Sequence, residues 1–261
     1  MSDAKLPTRV NWLFRGFSRY VLRYLRKHFH AVRLSRSGAA LPTDGEPILV
    51  VANHPSWWDP MVGMPLVLSL KGHRSYAPIH AEMLKNYPIF GKLGFFGVDP
   101  TSLRGAAEFL RTGEAILAAP KRALWVTAQG EFTDVRTRPL RLKTGVGHLA
   151  ARMERGWVVC LAIEYTFWTE RTPEALLRIA EPIRIDAAGA RSGRQWTAEL
   201  EALLTENLDA LNLEAQSRDP AKFTILVGGK AGVGGGYDLF RRLAAWLRFR
   251  RFRPAHREVA R

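Results

Sequence analysis

The chain has 261 residues and a formal net charge of +15, from 39 Lys and Arg against 24 Asp and Glu. That length holds one substantial core, and an apolar fraction of 47% excludes a disordered or fibrous chain, so one α/β domain with terminal extensions is expected. The charge calls for a polyanionic partner, nucleic acid or anionic membrane head groups, without choosing between them.

From Arg9 to Leu34, Val10, Leu13, Phe17, Val21 and Tyr24 recur at helical spacing while Arg15, Arg19, Arg23, Arg26 and Lys27 take other positions, which predicts a basic amphipathic helix. Its rings (Trp12, Phe17, Tyr20, Tyr24) suit a head-group region, where aromatics insert and Arg reaches anionic lipid. The expected core alternates strand 47–53, helix 58–70, strand 75–80, helix 102–118, strand 123–129, helix 142–155, strands 157–165 and 176–183, and helix 196–211. This order predicts an α/β fold, a mixed sheet flanked by helices. A linker over 214–222, an apolar run over 223–227, a glycine-rich run over 228–236 and a second basic amphipathic helix over 237–253 follow. The expected organisation is therefore a membrane-associating helix in 1–40, a catalytic domain in 41–213 and a linker with a terminal helix in 214–261. Two such helices favour a membrane surface over nucleic acid, and no nucleic-acid partner is expected. No uncharged stretch approaches the ~20 residues of a membrane span and no signal peptide is visible, so the expected location is peripheral, on the cytoplasmic face.

The strongest local signal is Asn53-His54-Pro55-Ser56-Trp57-Trp58-Asp59-Pro60, at the carboxyl end of an apolar strand, where α/β sheets place their sites. Across this turn the Asp59 carboxylate can accept one imidazole N–H of His54 and leave the other nitrogen free as a base. Ser56 lies within the same tight turn and lacks the Gly-x-Ser-x-Gly elbow, so a capping role is expected for it rather than a nucleophile's. Lys230 is followed by Ala231, so the glycine-rich run fails the P-loop pattern. The lone Cys160, in the apolar run 157–163, reads as an inert core residue in a reducing compartment, and the histidine spacing predicts no metal and no cofactor.

The run His-Pro-Ser-Trp-Trp-Asp resembles the His-x4-Asp signature of the glycerophospholipid acyltransferase family, typified by lysophosphatidic acid acyltransferases. Gly94-Phe-Phe-Gly-Val-Asp-Pro100 resembles the family's Gly-x-x-Phe-Ile-Asp-Arg, with Pro100 in place of an arginine that helps hold the acceptor's phosphate and Arg104 one helical turn on as its substitute. Thr127-Ala128-Gln129-Gly130-Glu131-Phe132 resembles the start of Phe-Pro-Glu-Gly-Thr-Arg-Ser, with Gln129 in place of glutamate. Leu142-Lys143-Thr144-Gly145 resembles Phe-Lys-x-Gly, and Val159-Cys-Leu-Ala162 stands for the fourth block without its proline. The resemblance covers roughly 48–162. It implies acyl transfer from acyl-CoA or acyl-carrier protein to a lysophospholipid hydroxyl, with His54 as general base oriented by Asp59. It also implies that Asn53, Gly97, Asp99, Arg104, Gln129, Gly130, Glu131 and Lys143 bind acceptor or donor. The departures fall on how an acceptor is gripped, so a glycolipid, polyprenoid or aminolipid acceptor stays open. A catalytically weak protein that binds anionic lipid or nucleic acid is the alternative of another class.

Overall fold

The computed structural model describes residues 6–185 and 191–231. In chain order the helices are α1 (Asn11–His28), α2 (Asp59–Val62), α3 (Met64–Ser69), α4 (Ala81–Asn86), α5 (Leu103–Leu117), α6 (Gly145–Arg152) and α7 (Gly193–Ser217). The strands are β1 (Ala31–Ser35), β2 (Ile48–Ala52), β3 (Arg74–His80), β4 (Phe95–Val98), β5 (Arg122–Thr127), β6 (Gly156–Thr166), β7 (Glu174–Ile179), β8 (Ile183–Ile185) and β9 (Phe223–Gly228). Among the described residues they form one mixed sheet in the order β4-β3-β5-β2-β6-β7-β1-β9, with β8 paired to β6.

β2 explains where the site sits. All five of its residues are buried, because parallel partners flank it, β5 with Ala52 opposite Thr127 and β6 with Ala52 opposite Leu161. A parallel strand covered on both faces needs apolar side chains at every position, which Ile-Leu-Val-Val-Ala supplies. Leu49 and Val51 enter the core layer under α5, α6 and α7, while Ile48, Val50 and Ala52 enter the layer under α1, α2 and α3. The chain leaving β2 therefore emerges at the sheet's carboxyl edge, between the end of β5 and the continuing β6, and His54 lies there.

The structure corrects the sequence reading in several places. The helix expected through Leu34 ends at His28, and Ala31–Ser35 is instead a strand between β7, parallel, and β9, antiparallel. Two strands outside the 41–213 segment, β1 and β9, thus belong to the same sheet as β2. The helix expected over 58–70 is two short helices, and the strand expected over 176–183 is β7 followed by β8. α7 runs on to Ser217 through residues expected as linker, and ends where Arg218 takes a left-handed conformation (φ 50°). β4 and α4 have no counterpart in the sequence reading. The basic helix expected over 237–253, and most of the glycine-rich run, lie outside the described residues. No helix among the described residues is long and apolar enough to cross a membrane.

Candidate active site

The turn between β2 and α2 holds its catalytic candidates by a small set of internal bonds. The Asn53 side chain occupies the position where the β2–β6 ladder stops: its Nδ2 donates to the Ile163 carbonyl at 2.9 Å, and its Oδ1 accepts the Ile163 N–H at 2.8 Å. Both ends of Asn53 are thereby engaged with β6. The next backbone N–H, that of His54, donates to Gln129 Oε1 at 2.8 Å, and Gln129 Nε2 donates to the Leu140 carbonyl at 3.2 Å. Gln129 is buried and needs both a donor and an acceptor. A glutamate in its place would lose the donor and face the Leu140 carbonyl with a second acceptor, which gives the glutamine a structural reason. The Thr133 N–H closes the frame on the His54 carbonyl at 2.9 Å.

Within this frame His54 Nδ1 meets Asp59 Oδ2 at 2.6 Å, with the imidazole 18% exposed and the carboxylate 1%. The Ser56 N–H adds a second bond to Oδ2 at 3.2 Å, and the Tyr165 hydroxyl donates to Oδ1 at 2.7 Å. Tyr165 was not expected as a site residue. Burial, and then the adjacent Asp59 charge, push its phenol well above the usual tyrosine range, so it stays protonated and donates. His54 Nε2 has no hydrogen-bond partner among the described residues and is the nitrogen available to a substrate. Phe132, 63% exposed, sets its ring 4.6 Å from the imidazole at 52°. The Ser56 hydroxyl accepts the Trp58 N–H at 3.3 Å, a turn-capping contact.

The other expected ligand-binding residues divide into two groups. Gly130 (φ 70°) adopts a conformation that favours glycine, and a Cβ there would come within 3.3 Å of Lys143 Cε, so the Lys143 stem lies against Gly130 beside the Gln129 clamp. Glu131 is exposed on the same turn. Lys143 is itself fixed through its N–H to the Ala128 carbonyl at 2.8 Å. Gly97 lies elsewhere, in β4, which is separated from β2 by β3 and β5, roughly 14 Å by strand spacing; Asp99 follows β4 and Arg104 stands in the first turn of α5. Gly97 packs on Ala81 of α4. Asp99 accepts the Thr101 hydroxyl at 2.7 Å and N–H at 3.0 Å, which lowers its carboxyl below the usual range. Gly105 lets the start of α5 rest on the Asp99 backbone, where a Cβ would fall 2.0 Å from the carbonyl oxygen. Arg104 is exposed.

Aromatic side chains tie the turn to α1. Trp58 stacks on Tyr24 with ring centroids 5.5 Å apart, meets Phe29 edge-on at 4.9 Å and touches Trp57 at 4.6 Å. Phe29 in turn lies 5.9 Å from the Tyr165 ring. Trp58 and Phe29 thus brace the turn that carries the dyad.

No curated protein matches the chain. A family model described as Acyltransferase matches residues 27–164, from the end of α1 through the strand that carries the Asn53 clamp. That match covers more than half of the chain, which therefore belongs to the acyltransferase family and has acyl transfer as its general activity.

Proposed function

We propose that this acyltransferase moves a fatty acyl group from acyl-CoA or acyl-carrier protein to a hydroxyl of a lysophospholipid or related membrane lipid. One observation carries the reading: a partly exposed imidazole with Nδ1 held by a buried carboxylate and Nε2 unpartnered, at the carboxyl end of a central parallel strand. His54 Nε2 takes the acceptor's hydroxyl proton as the oxygen attacks the thioester carbonyl. The C–S bond of the tetrahedral intermediate then breaks, and the departing thiolate recovers the proton from the imidazolium. Asp59 fixes the ring orientation and stabilises its charged form. Backbone N–H groups of the turn are candidates for the oxyanion, and four are already engaged within the protein: His54 with Gln129, Ser56 with Asp59, Trp58 with the Ser56 hydroxyl and Asp59 with the Ser56 carbonyl.

A peripheral position on the cytoplasmic face of a membrane is part of the proposal. Arg15, Arg19, Arg23, Arg26 and Lys27 are exposed on α1 and make no ion pair among the described residues, beside exposed Trp12 and Tyr20. Tyr20 stacks on Tyr24, which reaches Trp58 and the exposed Trp57, so the aromatic surface of α1 runs into the catalytic turn. Rings beside unpaired cations are what an anionic lipid surface recruits. Combining Trp12→Ala with Arg15→Gln and Arg19→Gln is expected to lower partition onto phosphatidylglycerol-containing vesicles by at least about tenfold, measured by sedimentation, and unchanged partition would remove the membrane surface from the reading.

The Phe132 ring beside His54 favours, as a second reading, the same chemistry on a non-phosphate acceptor such as a glycolipid, polyprenoid or aminolipid. One assay addresses both. Radiolabelled acyl-CoA and acyl-carrier protein are offered with a total lipid extract from the source cell to wild type and to His54→Ala. A labelled lipid that falls by roughly 10²–10⁴-fold in the variant supports the reading and identifies the acceptor class. No labelled lipid with either donor would overturn it.

A further inference from the structure

The two oxygens of Asp59 face different donors. Oδ2 serves His54 Nδ1 and the Ser56 N–H, while Oδ1 accepts only the Tyr165 hydroxyl among the described residues. Tyr165 reaches it because β6 outruns β2: Leu161 lies opposite Ala52, Asn53 binds the Ile163 backbone, and β6 continues to Thr166 alongside the His54–Asp59 turn. Successive side chains on a strand alternate faces, so Tyr165 shares the face of Leu161 and Ile163, which line the same core layer as β2's Val50. Phe29 lies beside the phenol ring, with ring centroids 5.9 Å apart.

We propose that Tyr165 is a positioning residue of the dyad, holding Asp59 so that Oδ2 stays on His54 Nδ1 and tempering the carboxylate that the imidazole feels. The proposal rests on the reading of His54 as the base. A carboxylate held at one oxygen only can rotate about its Cβ–Cγ bond and lose the 2.6 Å contact. A neutral donor on the second oxygen also withdraws part of the negative charge that the imidazole faces. Because Tyr165 is neutral, it does so without cancelling the charge that the imidazolium needs.

Tyr165→Phe removes one oxygen and keeps the ring. With the tempering donor gone, the His54 titration midpoint, followed by NMR on protein with labelled histidines and assigned with His54→Ala, is expected to rise by about half to one pH unit. The acidic limb of the pH–rate profile for transfer to the lipid extract moves up with it, and kcat falls roughly tenfold with little change in KM. Asp59→Asn moves the midpoint the other way. Should Tyr165→Phe fold poorly, biosynthetic 3-fluorotyrosine gives the complementary measurement: a more acidic phenol is a stronger donor and lowers the His54 midpoint, an effect absent from fluorinated Tyr165→Phe. An unmoved midpoint in both experiments overturns the proposal. If wild type transfers nothing, the functional reading falls, and the NMR midpoint still decides whether Tyr165 controls the dyad.

Discussion

Two histidine–carboxylate pairs stand at the same edge of the sheet, built from nearly the same parts. His54 Nδ1 meets Asp59 at 2.6 Å, and His30 Nδ1 meets Glu174 at 2.5 Å. Both carboxylates are buried, with side chains 1% and 2% exposed, and both imidazoles are partly open, at 18% and 21%. The second oxygen differs. Asp59 Oδ1 accepts the neutral Tyr165 hydroxyl at 2.7 Å, whereas Glu174 Oε2 accepts the buried Arg33 guanidinium at 2.9 Å. The Arg33 cation offsets part of the Glu174 charge, and the His30 imidazole is still raised above its ordinary value, chiefly by its bond to Glu174. The phenol on Asp59 Oδ1 adds no cation to its pair. Two sites that look alike at their histidines thus differ at the second carboxylate oxygen: the one with a cation joins β1 to β7, and the one with a neutral phenol holds the base of the proposed transfer.

The largest effect expected from this contrast is on stability. Glu174→Gln takes the carboxylate from the buried Arg33 and from His30 and is expected to cost about 3 kcal/mol, read by urea unfolding. The His30 imidazole is raised above its ordinary value chiefly by its bond to Glu174. That part of the stability is therefore fully present below the unfolded-state value of histidine and is lost as pH rises through the raised one. The variant should lose more at pH 6 than at pH 8.5, while acyl transfer per folded molecule stays unchanged. A fall in transfer as large as that of His54→Ala would break the comparison. The Tyr165→Phe experiment is the intermediate case, moving the His54 titration and the rate with little loss of stability.

How much of this was legible in the sequence depends on the range of each interaction. The strand before Asn53, the turn and the five-residue spacing of His54 and Asp59 are local, and their placement at a strand's carboxyl end follows from the apolar run alone. β1 was read as part of the helix that starts near Arg9, and the partners that make Ala31–Ser35 a strand, β7 and β9, come far downstream in the chain. Tyr165 lies 106 residues from Asp59, and nothing local marks it off from the other apolar positions of its strand. Asn53 and Gln129 show the converse difficulty. Sequence identifies them as polar groups beside the motif but not that Ile163, Leu140 and the His54 backbone have already taken their donors and acceptors.

A third carboxylate on β6 sharpens the comparison, because it has neither a histidine nor an arginine. Glu164 accepts Asn212 Nδ2 at 2.9 Å, and burial raises its carboxyl to about 7. Lacking a cation, it is easier to bury protonated, whereas Glu174 is held charged beside Arg33. The sign follows from the direction of the shift. Folded protein binds this proton more tightly than unfolded chain does, so the charged form costs stability progressively as pH rises from the ordinary glutamate range to about 7, and fully above it. Glu164→Gln keeps an acceptor for Asn212 and never ionises. It is expected to stabilise the protein at pH 8 by roughly 1 kcal/mol, after allowance for partial exposure, and to make no difference near pH 4. Equal stability of variant and wild type at both pH values would mean that water at the sheet edge solvates Glu164 well enough to do without a cation, and the distinction drawn between Arg33 and Tyr165 would lose its energetic basis.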